Sequence, residues 1–133
     1  MLRITLAFTA VALLTAPAFA QDAGDPAKGE KVFAKCKACH DVGEAAKNKV
    51  GPELNGVIGR PAGTAPDYKY SDAMMAKNKE GLVWDEEKVF TYLEDPSAFL
   101  GGKSKMVLKL KKEDERHNVI AYLKQFGLDG KKM

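Results

Sequence analysis

The chain of 133 residues is poor in the residue types that cross-link proteins or bind metals: it has two cysteines and two histidines. So few cysteines exclude a multi-disulfide scaffold. Two histidines leave little with which to build an all-protein metal centre. No charge of one sign dominates, since 21 Lys+Arg face 18 Asp+Glu for a formal net of +3. That excess is too small for the basic stripe of a nucleic-acid binder. Beyond the N-terminal segment no apolar run reaches the roughly 20 residues that a spanning helix needs. Repeats, low-complexity tracts and convincing strand alternation are missing too. What is present, 45% hydrophobic and 29% charged residues, is globular composition. The length suits one compact domain rather than two.

The N-terminal segment reads as an address. Arg3 precedes an uncharged, almost wholly apolar stretch from Ile4 to Leu14, and then Ala16-Pro17-Ala18-Phe19-Ala20. Ala18-x-Ala20 is a small-residue cleavage site, and the whole has the layout of a secretory signal peptide. The apolar run is too short to serve as an anchor. Residues 1–20 are therefore expected to be cleaved, leaving 21–133 as one exported domain. Export in a bacterium means the periplasm, where cysteines meet oxidising conditions.

Both cysteines fall in one string, Cys36-Lys37-Ala38-Cys39-His40. C-x-x-C-H is the pattern of covalent c-type haem attachment. Two thiols three positions apart at a helix end can reach the two vinyl groups on one porphyrin edge. The next residue then sets an imidazole under the iron. Other uses of the pair fit less well. A thioredoxin-like motif belongs in a βαβ pattern, which is lacking. A zinc site needs a fourth ligand, and a simple disulfide gives His40 no task.

The second axial position decides whether such a haem binds substrate or only carries electrons. The candidates are His117, Met74, Met75, Met106 and Met133. The apolar stripe of the last helix is Val119, Ile120, Leu123 and Phe126, with Tyr122 beside it. His117 falls nearly opposite that stripe and is expected to be solvated. Met133 is terminal, and Met74 and Met75 suit packing in a short helix. Met106 lies in Gly101-Gly102-Lys103-Ser104-Lys105-Met106, where glycines permit turns that aim a side chain inward. A loop methionine can equally fill a gap in a core.

The remaining elements are helices and loops. The spacing predicts a helix from Pro26 to about Cys36, a short one after Ser71-Asp72, one over 85–94 ended by Asp95-Pro96, a short one before Gly101, and a last over 113–126 with Gly127 as its cap. Between Asp41 and Tyr70 glycine and proline break every period. So long a loop is unusual in a compact domain, and a large buried cofactor would give it something to pack on.

Several ordered motifs then accumulate: Gly24-Asp25-Pro26-Ala27-Lys28-Gly29-Glu30-Lys31-Val32-Phe33, the C-x-x-C-H string, Val50-Gly51-Pro52-Glu53-Leu54-Asn55-Gly56-Val57-Ile58-Gly59-Arg60, Ala65-Pro66-Asp67-Tyr68-Lys69-Tyr70-Ser71-Asp72-Ala73, Trp84, Tyr92-Leu93-Glu94-Asp95-Pro96, Lys105-Met106 and Asn118-Val119-Ile120-Ala121-Tyr122-Leu123. Over nearly all of 24–127 the chain resembles the small class I cytochromes c, in particular their bacterial cytochrome c2 branch. The resemblance implies an all-α fold of about four to five helices, with long loops wrapped around one covalent haem c. It implies a monomeric one-electron carrier rather than an enzyme, cycling Fe(II)/Fe(III).

Residue by residue, the resemblance makes His40 and Met106 the axial ligands and Cys36 and Cys39 the attachment points. It makes the Pro52 carbonyl the acceptor from His40 Nδ1. Arg60, Tyr70 and Trp84 become donors to a buried propionate, and Ser104 a hydroxyl near the other side of that edge. Tyr92 stands near the methionine sulfur. Gly29, Phe33, Tyr122 and Leu123 match the contact of first and last helices. The resemblance suggests the cytochrome bc1 complex as donor and a photosynthetic reaction centre or terminal oxidase as acceptor. Docking would use Lys35, Lys37, Lys47, Lys49, Lys103 and Lys105, with Lys109 nearby. Three departures stand out: about three extra residues between Ala73 and Trp84, no proline in the loop before Met106, and Leu108 where many relatives carry an aromatic residue.

Overall fold

Short polar residues and prolines start most of the helices. In the computed structural model, which describes residues 23–133, the signal-peptide reading of residues 1–20 falls outside the described chain. Helix α1 (Pro26–Phe33) opens with Pro26 in its first turn, and Asp25 caps it by accepting from the N–H groups of Ala27 and Lys28. Helix α2 (Asp72–Lys79) is capped by Ser71 through the Met74 N–H, and α3 (Glu86–Glu94) by Asp85 through that of Lys88. Asp95 then closes α3 and caps α4 (Pro96–Leu100), so the aspartate-proline pair ends one helix and starts the next. Helix α5 (Glu113–Leu123) has no side-chain cap. Instead, Glu113, Asp114 and Glu115 complement the positive end of its dipole. No strand occurs among the described residues, where only isolated bridges pair Pro61 with Val83 and Phe126 with Lys132. None of the described helices is long and apolar enough to cross a membrane.

Two helix ends come earlier than the sequence suggests. α1 stops at Phe33, and the chain tightens into turns in which Lys35 and Cys36 donate to the carbonyls three residues back. The Cys36 carbonyl then accepts from both Cys39 and His40, at 3.0 and 2.9 Å. The attachment motif is thus a compact, self-bonded turn and not a further turn of helix. α5 likewise ends at Leu123, and Gly127 is not its cap: the Gly127 N–H bonds the Lys131 carbonyl in the tail.

The main core lies where α1 crosses α5. Phe33, Val119, Ile120, Tyr122 and Leu123 are buried there, with the Phe33 and Tyr122 rings 5.3 Å apart. The crossing is backbone against backbone at Gly29. A Cβ at that position would stand 1.9 Å from the Asn118 carbonyl oxygen and 2.8 Å from Tyr122 Cβ. A second aromatic cluster joins Trp84 to Tyr92 and Phe99, at 5.0 and 5.7 Å between centroids.

His117 departs from the expectation of a solvated ring. It is half-buried and stacked on Phe90, with centroids 4.5 Å apart, because α3 packs beside that face of α5.

Replacing Gly29 by alanine should overpack this crossing and cost about 1–3 kcal/mol or more. The check is the urea midpoint followed by helical circular dichroism. An unchanged midpoint would mean that the two helices separate freely.

Candidate functional site

The ten residues singled out as cofactor contacts come from five stretches of chain, and all of them line one cavity of about 260 Å³. Cys36, Cys39 and His40 enter from the turn after α1, and Pro52 and Arg60 from the long loop. Tyr70 and Trp84 flank α2 on either side, Tyr92 belongs to α3, and Ser104 and Met106 belong to the segment between α4 and α5. The loop over 41–70 therefore has apolar work to do: Val50, Leu54 and Val57 face the same space.

His40 is fixed in one tautomer. Its Nδ1 lies 2.7 Å from the Pro52 carbonyl oxygen, which can only accept, so Nδ1 carries the proton. The lone pair on Nε2 is then the ring's ligating atom. Burial holds the His40 pKa below its ordinary value; the Pro52 carbonyl opposes this and the Arg60 charge adds to it. Gly51 is required by this geometry, because a Cβ there would stand 2.4 Å from His40 Cε1. The backbone ties the two segments further, with Gly51 N–H donating to the Cys39 carbonyl at 2.8 Å. Cys36 is buried, and burial pushes its thiol up to about 11, against Lys35, which lowers it, and with Cys39, which raises it.

Hydrogen-bond donors gather at another part of the wall. Arg60 is 8% exposed. Its Nη1 donates to Glu53 Oε1 at 3.1 Å and to the Asn55 carbonyl at 3.0 Å, and its Nη2 to the Glu53 carbonyl at 3.0 Å. Its Nε is buried with no partner. The Tyr70 hydroxyl accepts from the Ala65 N–H at 2.9 Å, which leaves its own proton to donate. Burial raises the Tyr70 pKa, opposed by that N–H. The Arg60 side chain and a phenol proton on an otherwise apolar cavity suit a buried carboxylate. With two thiols, an imidazole nitrogen and a thioether on the same walls, the residues fit a haem, with Arg60 and Tyr70 able to answer a carboxylate of it.

Ser104 is brought to Met106 and Tyr92. Its Oγ accepts the Met106 N–H at 3.0 Å, and its own N–H donates to Ser97 Oγ at 3.1 Å. Tyr92 has its pKa raised by burial and lowered by its hydrogen bond to Ser104. Met74, assigned to packing from sequence, is buried and also lines the cavity. Gly51 was read only as a break in the chain; its closeness to His40 has no signal in composition. Arg116 is a further residue that sequence reasoning missed, and it is 2% exposed. Its spacing from Val119, Ile120 and Leu123 places it within the apolar stripe itself, a signal that the periodicity does carry.

Comparison with known proteins agrees with this construction. A family model described as cytochrome c matches residues 26–127. Cytochrome c2 iso-2 of Rhodospirillum centenum is 53% identical over 117 residues, covering 78% of this chain and 97% of that protein. Cytochrome c-554 of Methylosinus trichosporium is 48% identical and covers 97% and 95%. The solved cytochrome c2 of Rhodospirillum centenum superposes with a TM-score of 0.76, over 78% of this chain and 99% of that one. The cytochrome c2 of Rhodobacter sphaeroides gives 0.73 at 41% identity, over 78% and 97%. The Cys36-Lys37-Ala38-Cys39-His40 turn, its cavity, the all-α fold and these likenesses together place the chain in the cytochrome c family, on its cytochrome c2 branch, as an electron-transfer protein with one haem c attached through Cys36 and Cys39.

Proposed function

We propose that the protein is a periplasmic one-electron shuttle, exported by cleavage after Ala20, with His40 and Met106 as the two axial ligands of its iron. The observation that carries this reading is the cavity itself, lined by the Pro52-oriented imidazole and by the Met106 thioether. Bound haem supplies the Fe(II)/Fe(III) couple. The chain supplies everything else. Two filled axial positions leave substrate no place to bind. The imidazole and the thioether are both neutral and the walls are mainly apolar. These residues therefore favour the ferrous state and raise the potential. Arg60, Tyr70 and Trp84, which all line the cavity, would answer a propionate, and the Tyr70 hydroxyl keeps its proton free to donate.

The surface around the cavity supports docking to redox partners. Val50 and Val107 line it and yet are 72% and 88% exposed, so the cavity reaches solvent there. Lys35, Lys37, Lys47, Lys49, Lys103 and Lys105 are exposed in the segments around that rim. Lys35 pairs with Glu115 and Lys109 with Asp95, whereas no ion pair among the described residues engages Lys37, Lys47 or Lys103. An apolar opening lined by Lys35 and Lys105, with further exposed lysines in the neighbouring segments, suits acidic redox partners. The reading gives the cytochrome bc1 complex as donor and a reaction centre or terminal oxidase as acceptor.

Visible spectra of the exported protein test the ligation. The wild type should show c-type bands in both redox states and the weak far-red band of ferric haem bound to methionine sulfur. Met106→Ala should lose the far-red band alone and bind carbon monoxide. A wild type that lacks the band and binds carbon monoxide readily would overturn the carrier reading.

Reduction by the bc1 complex should slow as salt rises. Lys37→Glu or Lys103→Glu should cut the rate by roughly tenfold at low ionic strength, with little effect at high salt. Rates indifferent to salt would remove the docking proposal.

A further inference from the structure

Arg116 is a buried cation that the electron-transfer reading does not use. It is 2% exposed and leaves α5 beneath the segment that carries Met106. Its Nη1 donates to two successive carbonyls, Leu110 at 2.7 Å and Lys111 at 3.0 Å. Its guanidinium carbon stands 4.2 Å from the centroid of the Phe90 ring. The nearest carboxylate, Glu94, is 3.9 Å from Nη2 and half-exposed, so it is no strong counter-ion. Nε has no partner. A guanidinium so placed is costly to bury unless its neighbours answer it, and the groups that answer it directly are the two carbonyls and the ring.

Those carbonyls end the stretch in question. Met106 and Leu108 are half-buried and Leu110 is buried, while Lys105, Val107 and Lys109 between them are exposed. The run is therefore extended, with its alternate residues turned inward. Ser104 fixes one end by accepting the Met106 N–H. Leu110 fixes the other: its N–H donates to Leu93 of α3 at 2.8 Å, and its carbonyl accepts from Arg116. On the preceding residue of α5, Glu115 holds Lys35, the neighbour of Cys36, at 2.8 and 2.9 Å. Adjacent residues of one helix thus grip the segments that bear both sides of the site.

We infer that Arg116 is a positioning residue that holds the Met106 segment closed, so that the sixth ligand competes with outside molecules from a fixed distance. The inference rests on the reading of Met106 as that ligand. Removing the guanidinium orphans two carbonyls and frees the segment to swing away. The population that is open to another ligand then rises, and apparent affinity rises with it.

The test is an imidazole titration of the ferric holoprotein, with the far-red band and global urea stability measured in parallel. Arg116→Met should bind imidazole about tenfold more tightly, as expected for losing charge-assisted hydrogen bonds. Arg116→Lys, which keeps a donor, should restore part of the difference. Ile120→Val, a core change that lies off the cavity, should lower global stability and leave imidazole affinity unchanged. If Arg116→Met yields no holoprotein, Arg116→Lys carries the test, with about a threefold tightening expected. Unchanged affinity in the arginine variants, with the far-red band intact in wild type, overturns the positioning role and leaves the ligand reading standing. An equal change in Ile120→Val overturns it as well. Absence of the far-red band in wild type removes the ligand reading first, and this inference with it.

Discussion

The close crossing of α1 on α5 is the constraint on which the rest of the molecule depends. Gly29 lets the two backbones touch, and Phe33 and Tyr122 lock the crossing at its next turn. Everything that must be held near the cofactor is then referred to one rigid pair. The attachment turn leaves directly from α1. The Met106 segment is fastened to α5 through Arg116 and to α3 through Leu93. The long loop between the attachment turn and α2 needs no secondary structure of its own, because Gly51 and Leu54 bond back to Cys39 and Asp41. A small protein thereby builds a precise site with few helical residues.

The polar groups of the site follow one rule: carbonyl oxygens do most of the work that carboxylates could do. His40 is oriented by Pro52 and Arg116 is answered by Leu110 and Lys111. Arg60 is shared between two carbonyls and the single carboxylate of Glu53. Carbonyls are dipoles without net charge, so they satisfy buried donors without importing negative charge beside the iron. The arrangement adds no carboxylate charge where His40 and Arg116 are held, and the exposed lysines lie on the outside.

Much of this was legible in the chain. Proline at a first turn, serine before a helix and aspartate-proline at a helix end are local signals with local causes: Pro26, Ser71 and Asp95 stand where they read, Asp85 caps a helix that starts one residue later than read, and Asp95 also caps the next one. The attachment string is equally local. What was not legible depends on partners far along the sequence. The early end of α5 follows from the tail, where the Phe126–Lys132 bridge and the Gly127 turn take over the backbone groups. His117 looked exposed because it falls nearly opposite the apolar stripe of its own helix, and Phe90, which covers it, comes from α3. The burial of Arg116 could have been read from its place in that stripe, but the carbonyls that answer it could not. Gly51 and Gly29 are glycines because another residue occupies the place of a side chain, which no window on the sequence contains.

The burial of Cys36 has a consequence for how the cofactor link is protected. This sulfur is 8% exposed and lies on the wall of the cavity that fits the haem. The bond that ties the haem to the chain is therefore shielded on one side by the protein core and on the other by the haem itself.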